Sequence, residues 1–263
     1  MTEVPSSLSS QSSLGGLGSL DELTEPTEFL DYESEAVQTF IDGVVDDRSA
    51  DRRANAVKLY YAVRDTVHYE VYGADLSREG LRASRTATAK SGFCLHKSAL
   101  FAASVRALGI PSRLVYGDVR NHLASPRLIE HIGGDVFFHG LTEVHLDGRW
   151  VKATPVFNKL LCQLYGMAPL EFDGRSDSLY HPHGSGAAME FLKDHGAFDD
   201  LPYEFVMTSM RTAHPRFLEG TSTVRGGSLA SEAGPSSGAG PSVAAPSVAG
   251  PSSVADLSPA LNR

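Results

Sequence analysis

Ser91-Gly92-Phe93-Cys94 leads directly into Leu95-His96-Lys97-Ser98-Ala99-Leu100-Phe101-Ala102-Ala103-Ser104-Val105-Arg106-Ala107-Leu108, and Gly109-Ile110-Pro111 closes the run. No Gly or Pro interrupts the stretch from Leu95 to Leu108, and Gly109 followed by Pro111 gives the stop signals of a helix C-terminus. The spacing therefore predicts a helix that opens at Cys94. Ala99, Ala102, Ala103 and Ala107 keep it small on nearly all faces, which predicts neighbours on several sides. A cysteine in the first turn of such a helix meets unpaired backbone N–H groups and the positive end of the helix dipole, which favour thiolate over thiol. The same N–H groups can stabilise an oxyanion when a carbonyl is attacked. Gly92 lets the chain turn tightly just before the cysteine. These features make Cys94 a candidate nucleophile, weighed against the inert packing that is the commoner fate of a buried free cysteine.

Outward from this helix, Asp51 opens a second one predicted through Arg64, with Val57, Tyr60, Tyr61 and Val63 as apolar positions. After Pro111 the period changes to two. Ser112 to Gly117 reads as a short strand, and Phe137 to Leu146 and Arg149 to Thr154 flank Asp147-Gly148, the dipeptide suited to a type I′ hairpin turn. Leu160, Leu161, Leu164 and Tyr165 predict a short helix with Asn158 near its start, and Ala187 to His195 predicts another, stopped by Gly196. Helices first and antiparallel strands after them indicate an α+β fold.

The ends of the chain differ from its middle. Residues 1–30 form a low-complexity acidic segment, 31–220 hold the expected domain, and 221–263 repeat Gly, Pro, Ser and Ala. The stretch from Gly220 to Arg263 has no aromatic residue and four charged side chains, a composition expected to stay disordered rather than build a core. Of the formal net charge of −9, residues 1–47 carry eleven acidic side chains and no Lys or Arg, so the remainder is nearly neutral. No basic run with interleaved aromatics marks a nucleic-acid partner. No stretch approaches the roughly 20 apolar residues of a membrane helix, and the N-terminus lacks a secretory pattern, so the expectation is a cytoplasmic protein with no membrane partner. Two cysteines, Cys94 and Cys162, are expected as free thiols in a reducing compartment. Cys162 falls in an apolar helix pattern and is expected to be inert. His181-Pro182-His183 offers two imidazoles without a third clustered ligand, and no calcium loop of the EF-hand pattern occurs, so neither a metal nor a cofactor is expected. Nothing in the sequence sets an oligomeric state.

Several motifs in order complete the reading: Ser91-Gly92-Phe93-Cys94, then Val105-Arg106-Ala107-Leu108-Gly109-Ile110-Pro111-Ser112-Arg113, then His139-Gly140-Leu141-Thr142-Glu143-Val144, and Asp147-Gly148-Arg149-Trp150-Val151. Over about residues 55–160 the chain resembles the transglutaminase-like superfamily. The resemblance implies a papain-like core in which the nucleophile helix packs on an antiparallel sheet. It also implies that Cys94 is the nucleophile and His139 the base, acting on a peptide or protein amide through an acyl-enzyme. A thiol beside an imidazole has the chemistry for this: the ring takes the thiol proton and returns it to the leaving amine. Where the family has aspartate before proline, this chain has Thr154 before Pro155. A threonine hydroxyl can accept a hydrogen bond from the imidazole but carries no charge to stabilise its cation. Thr154 is the third candidate by register, with Asn158 and Asp173 as alternatives, and the missing carboxylate keeps open a catalytically inactive binding or scaffold module. His96 and His145 match no position of the family's site.

Overall fold

The computed structural model describes residues 18–122, 124–179, 182–183, 186–187, 189–215 and 228–229. A short 3-10 turn at Glu22–Thr24 precedes α1 (Glu35–Asp42), α2 (Arg52–Thr66), β1 (His68–Tyr69), α3 (Ala83–Ala89), β2 (Ser91–Gly92) and α4 (Cys94–Arg106). Then follow β3 (Ser112–Asn121), α5 (Pro126–Ile132), β4 (Val136–Leu146), β5 (Arg149–Ala153), α6 (Lys159–Leu164), β6 (Pro182–His183), β7 (Gly186–Ala187), β8 (Met189–Phe198) and α7 (Tyr203–Ala213). The main sheet is antiparallel in the order β5-β4-β3-β8. The α+β architecture expected from the sequence is therefore present, with the helices gathered around α4.

Every residue of α4, from Cys94 to Arg106, is buried, as its small side chains predicted. It packs against α1, α2, α3, β3 and β4. Enclosing a whole helix forces its charged residues to find partners inside. Lys97 solves this by donating from Nζ to the carbonyls of Arg64 at 2.9 Å and Val67 at 2.5 Å, where the orphan carbonyls of the α2 C-terminus carry partial negative charge. Arg106 donates to the Ser112 carbonyl at 2.7 Å, the Glu25 carbonyl at 2.8 Å and the Asp199 carbonyl at 2.5 Å. One guanidinium thus ties the end of α4 to the start of β3, to the N-terminal segment and to the chain leaving β8.

The face of α4 nearest its N-terminus lies on β4. Ser98 Oγ donates to the Gly140 carbonyl at 3.0 Å, and Thr142 Oγ1 donates to the Ser98 carbonyl at 2.9 Å. The approach requires glycine: a Cβ on Gly140 would lie 2.9 Å from Leu95 Cδ2 and 3.2 Å from the Tyr116 ring. Tyr116 itself stacks on Phe138 with ring centroids 5.5 Å apart, so it has no room to retreat.

Elsewhere the local signals hold. Asp51 caps α2 by accepting from the N–H groups of Arg53 and Ala54 at 2.8 and 3.2 Å. Asp147 and Gly148 both take positive φ, 50° and 79°, as a type I′ turn between β4 and β5 demands. Asn158 immediately precedes α6.

The helix expected over Ala187 to His195 is corrected to the strand β8. Its backbone pairs with the open edge of β3, from Leu114↔Phe198 to Asn121↔Met189, and the register shifts twice along the way. Those two irregularities break a regular alternation, which is why the segment read as helical. Gly196, with φ of 94°, sits opposite Tyr116 in the sheet instead of stopping a helix.

The terminal segments also contribute more than their composition implies. Of the expected 1–30 segment, residues 18–30 lie against the body, with Leu23, Phe29 and Leu30 buried. Of 221–263, Ser228 and Leu229 are described and Leu229 is buried; residues 221–227 and 230–263 lie outside the described residues, as does His181. Among the described residues, no helix is long and apolar enough to cross a membrane.

Replacing Gly140 by Val should lower stability by about 2 kcal/mol or more through overpacking against Leu95 and Tyr116. The midpoint of urea unfolding measures it, with Gly134→Ala, where an added Cβ meets nothing, as the silent control.

Candidate active site

The turn into α4 is set by β1 and β2, whose short parallel pairing joins His68 to Ser91 and Tyr69 to Gly92. It delivers Cys94 at the first helical position, after Phe93 in extended conformation. Backbone N–H groups of Gly140 and Leu95 are directed at its sulfur. Gly140, which lets the helix dock, thus also favours the thiolate through its N–H.

Cys94 and His139 line one enclosed cavity of about 30 Å³, room for about one water. Its remaining walls are mostly apolar, including Val71, Phe93, Val119, Phe137, Met189 and Met210, with Tyr69, Asn121 and His214 as further polar side chains. His139 is the fourth residue of β4 and pairs with Gly117 of β3. A side chain at 117 would meet the Lys193 carbonyl at 2.7 Å and the Phe191 ring at 3.5 Å. With glycine there, Phe191 stands edge-on to the His139 imidazole at 6.1 Å between centroids. His214, beyond the end of α7, accepts the Phe138 N–H at its Nε2 at 2.9 Å, which fixes that nitrogen as unprotonated, and burial pushes its pKa down. A histidine adjacent to His139 in the cavity wall is thereby held neutral and used to pin the strand.

Burial pushes the Cys94 thiol up to about 12, while the N–H groups of Gly140 and Leu95 pull it the other way. This corrects the expectation that the helix N-terminus leaves a thiolate: the dipole acts on the sulfur, but removal from water outweighs it. Cys162 is also a free buried thiol, pushed by burial up to about 11, with its S–H directed at the Phe157 carbonyl.

The candidates for the third position separate clearly. Thr154 is buried, yet its hydroxyl has no hydrogen-bond partner and it is not among the residues lining the cavity. Its carbonyl is engaged instead, by the Tyr60 hydroxyl at 3.1 Å and the Val156 N–H at 2.9 Å. The hydrogen bond expected from His139 to Thr154 is therefore not made. Asn158 is buried and accepts the Tyr69 N–H at 3.3 Å, which supports the strand that carries Tyr69. Asp173 is exposed and spends one carboxylate oxygen on the N–H groups of Arg175 and Ser176, both at 2.7 Å. No carboxylate is among the described residues lining the cavity, and the described residues hold no group of three or more His, Cys, Asp or Glu side chains arranged for a metal. Sequence reasoning missed Tyr69, Asn121 and His214. Tyr69 follows a predicted helix and His214 precedes a proline, but neither sits in a motif that would have marked it.

Residues 38–155 match the sequence model of the transglutaminase-like superfamily. That stretch contains α4, β3, β4 and β5, the helix and the antiparallel strands that carry Cys94 and His139. No curated protein matches the chain. Among solved structures, an arylamine N-acetyltransferase from Salmonella typhimurium is 15% identical, with 72% of this chain and 71% of that one covered at a TM-score of 0.45. A candidate cysteine protease from Cytophaga hutchinsonii is 19% identical over 51% of this chain and 40% of that one, at a TM-score of 0.38. An arylamine N-acetyltransferase from Mycobacterium abscessus is 18% identical over 51% and 46%, at a TM-score of 0.36. The chain spans less than half the length of these last two proteins.

The neutral thiol has a consequence for stability. A group whose folded pKa is raised contributes stability that is fully present below its unfolded value, about 8.5 for cysteine, and lost as pH climbs toward about 12. Urea midpoints at pH 7 and pH 10 should thus fall further in the native protein than in Cys94→Ala. Equal losses in the two would show that the thiol is not held neutral by burial.

Proposed function

We propose that the chain is a cysteine enzyme of transglutaminase-like type that acts on peptide or protein amides through a thioester, by hydrolysis or by transfer to an amine. The observation that carries this reading is the shared cavity of Cys94 and His139, with the Gly140 and Leu95 N–H groups aimed at the sulfur. Because the thiol is neutral at rest, His139 acts as a general base during attack. A ring nitrogen of His139 takes the S–H proton as sulfur bonds to the carbonyl carbon, and the carbonyl π pair moves onto oxygen. The first N–H groups of α4, which have no helical acceptor, are suited to stabilise that oxyanion. Collapse of the tetrahedral species breaks the C–N bond, and the imidazolium returns its proton to the departing amine. Water or a second amine, deprotonated by His139, then attacks the thioester and releases Cys94. The cavity holds about one water, so the acyl donor must enter by displacing side chains at its mouth.

A second reading, a binding module without turnover, is favoured by the unpartnered Thr154 hydroxyl and by the lack of a carboxylate among the described lining residues. Without that charge the imidazolium is less stabilised, which slows the enzyme but leaves a Cys–His dyad able to react.

Electrophilic peptides of varied sequence, followed by mass spectrometry of the intact protein, distinguish the two. The expected result is one adduct at Cys94, none at Cys162, and a rate lowered about 100-fold or more in His139→Ala. Adducts at neither cysteine, or a rate indifferent to His139, would support the binding module. Thr154→Asp should raise the rate if a carboxylate there can reach the imidazolium, whereas Thr154→Ala should leave it unchanged.

A further inference from the structure

Beside the candidate catalytic cavity runs a second, apolar groove walled by Tyr69, Phe137, Phe157, Leu161, Tyr165 and Met167. Leu229 packs against these residues, forms part of the groove's lining and is 3% exposed. Its backbone is held on both sides: the N–H donates to Glu70 Oε2 at 3.2 Å, and the carbonyl accepts from the Tyr165 hydroxyl at 3.3 Å. The Glu70 carboxylate is itself fixed, accepting the N–H groups of Val71 and Tyr72 at its other oxygen, each at 3.0 Å. Tyr69, Asn121 and Phe137 line both this groove and the cavity of Cys94 and His139. Those side chains stand between the two spaces.

We propose that this groove is a peptide-binding subsite for a large aliphatic side chain, and that Leu229 occupies it as a stand-in for a residue of the substrate. The groove offers an acceptor for one peptide N–H, a donor for the adjoining carbonyl and an apolar slot between them, which together recognise a leucine-like residue of a bound peptide. Residues 220–263, in which Leu229 lies, are rich in Gly, Pro, Ser and Ala, a composition with little drive to bury itself. The drive for this contact therefore belongs to the groove and to the leucine. The proposal rests on the peptide-amide reading of the preceding subsection and deepens it: the acyl donor is a peptide with a leucine-like side chain near the reacting amide. Because Leu229 is tethered, it competes at an effective concentration on the order of millimolar, so an incoming peptide must displace it.

The test is equilibrium binding, measured by fluorescence anisotropy on the full-length chain. The probe is a labelled synthetic peptide of residues 225–233, compared with the same peptide carrying Leu229→Ala. The chain bearing Leu229→Asp should bind the leucine peptide at least about tenfold more tightly than the native chain and at least about tenfold more tightly than it binds the alanine peptide. Leu229→Ala in the chain should act in the same direction, which guards against a folding defect in the aspartate variant. Tyr165→Phe combined with Leu229→Asp should weaken peptide binding about fivefold, the loss of one hydrogen bond. Equal binding to native and variant chains, or equal affinity for the two peptides, would overturn the proposal. The two readings fail separately: peptide bound without any adduct at Cys94 would sink the enzyme and keep the groove, while a Cys94 adduct without peptide binding would do the reverse.

Discussion

The contact between Leu95 of α4 and the bare backbone of Gly140 on β4 is the constraint from which most of this structure follows. It allows helix and strand to approach until Ser98 and Thr142 close hydrogen bonds across the gap. It also directs a Gly140 N–H at the Cys94 sulfur. His139, one residue earlier on the same strand, is thereby fixed relative to the thiol by the docking that stabilises the core. A side chain at 140 would push the helix off the sheet and open that spacing. Packing and site geometry are here one requirement.

Burying the whole of α4 has an electrostatic cost that the fold meets at its charged residues. Lys97 is spent on the end of α2, and Arg106 on three separate carbonyls. Removing one partner from such an arrangement leaves a buried polar group unpaired, which costs more than the bond was worth. The same burial governs the thiol. A helix N-terminus favours a thiolate, but burial of the sulfur in a cavity lined by Val71, Phe93 and Met210 pushes the thiol's pKa up. In the proposed mechanism His139 makes the nucleophile during attack, whereas Nε2 of His214 already accepts the Phe138 N–H.

Much of this was legible in the sequence because the decisive signals were local. Gly109 and Pro111 mark the end of the helix that opens at Cys94, Asp147-Gly148 marks the hairpin, and the ordered motifs around Cys94 and His139 carry the resemblance to the transglutaminase-like superfamily. What escaped depended on distant parts of the chain. The β8 segment became a strand because β3 presented an unpaired edge, and two register shifts hid its period of two. Thr154 follows β5, but register does not dictate what a hydroxyl bonds to, and this one has no hydrogen-bond partner. Leu229 is one of three leucines in residues 220–263, a stretch whose average composition argues against burial, so no window-based reading could find the groove it packs against.

The central claim is that Cys94 rests as a thiol and is activated by His139 only as a carbonyl is attacked. Thiolate absorbance in the far ultraviolet, recorded across pH as the difference between the native protein and Cys94→Ser, measures this directly. The account predicts no thiolate signal at pH 7 and a rise only well above about 8.5, the value of a free cysteine, toward about 12. A full thiolate signal at pH 7 that disappears in His139→Ala would contradict it, and would mean that a preformed thiolate–imidazolium pair outweighs burial.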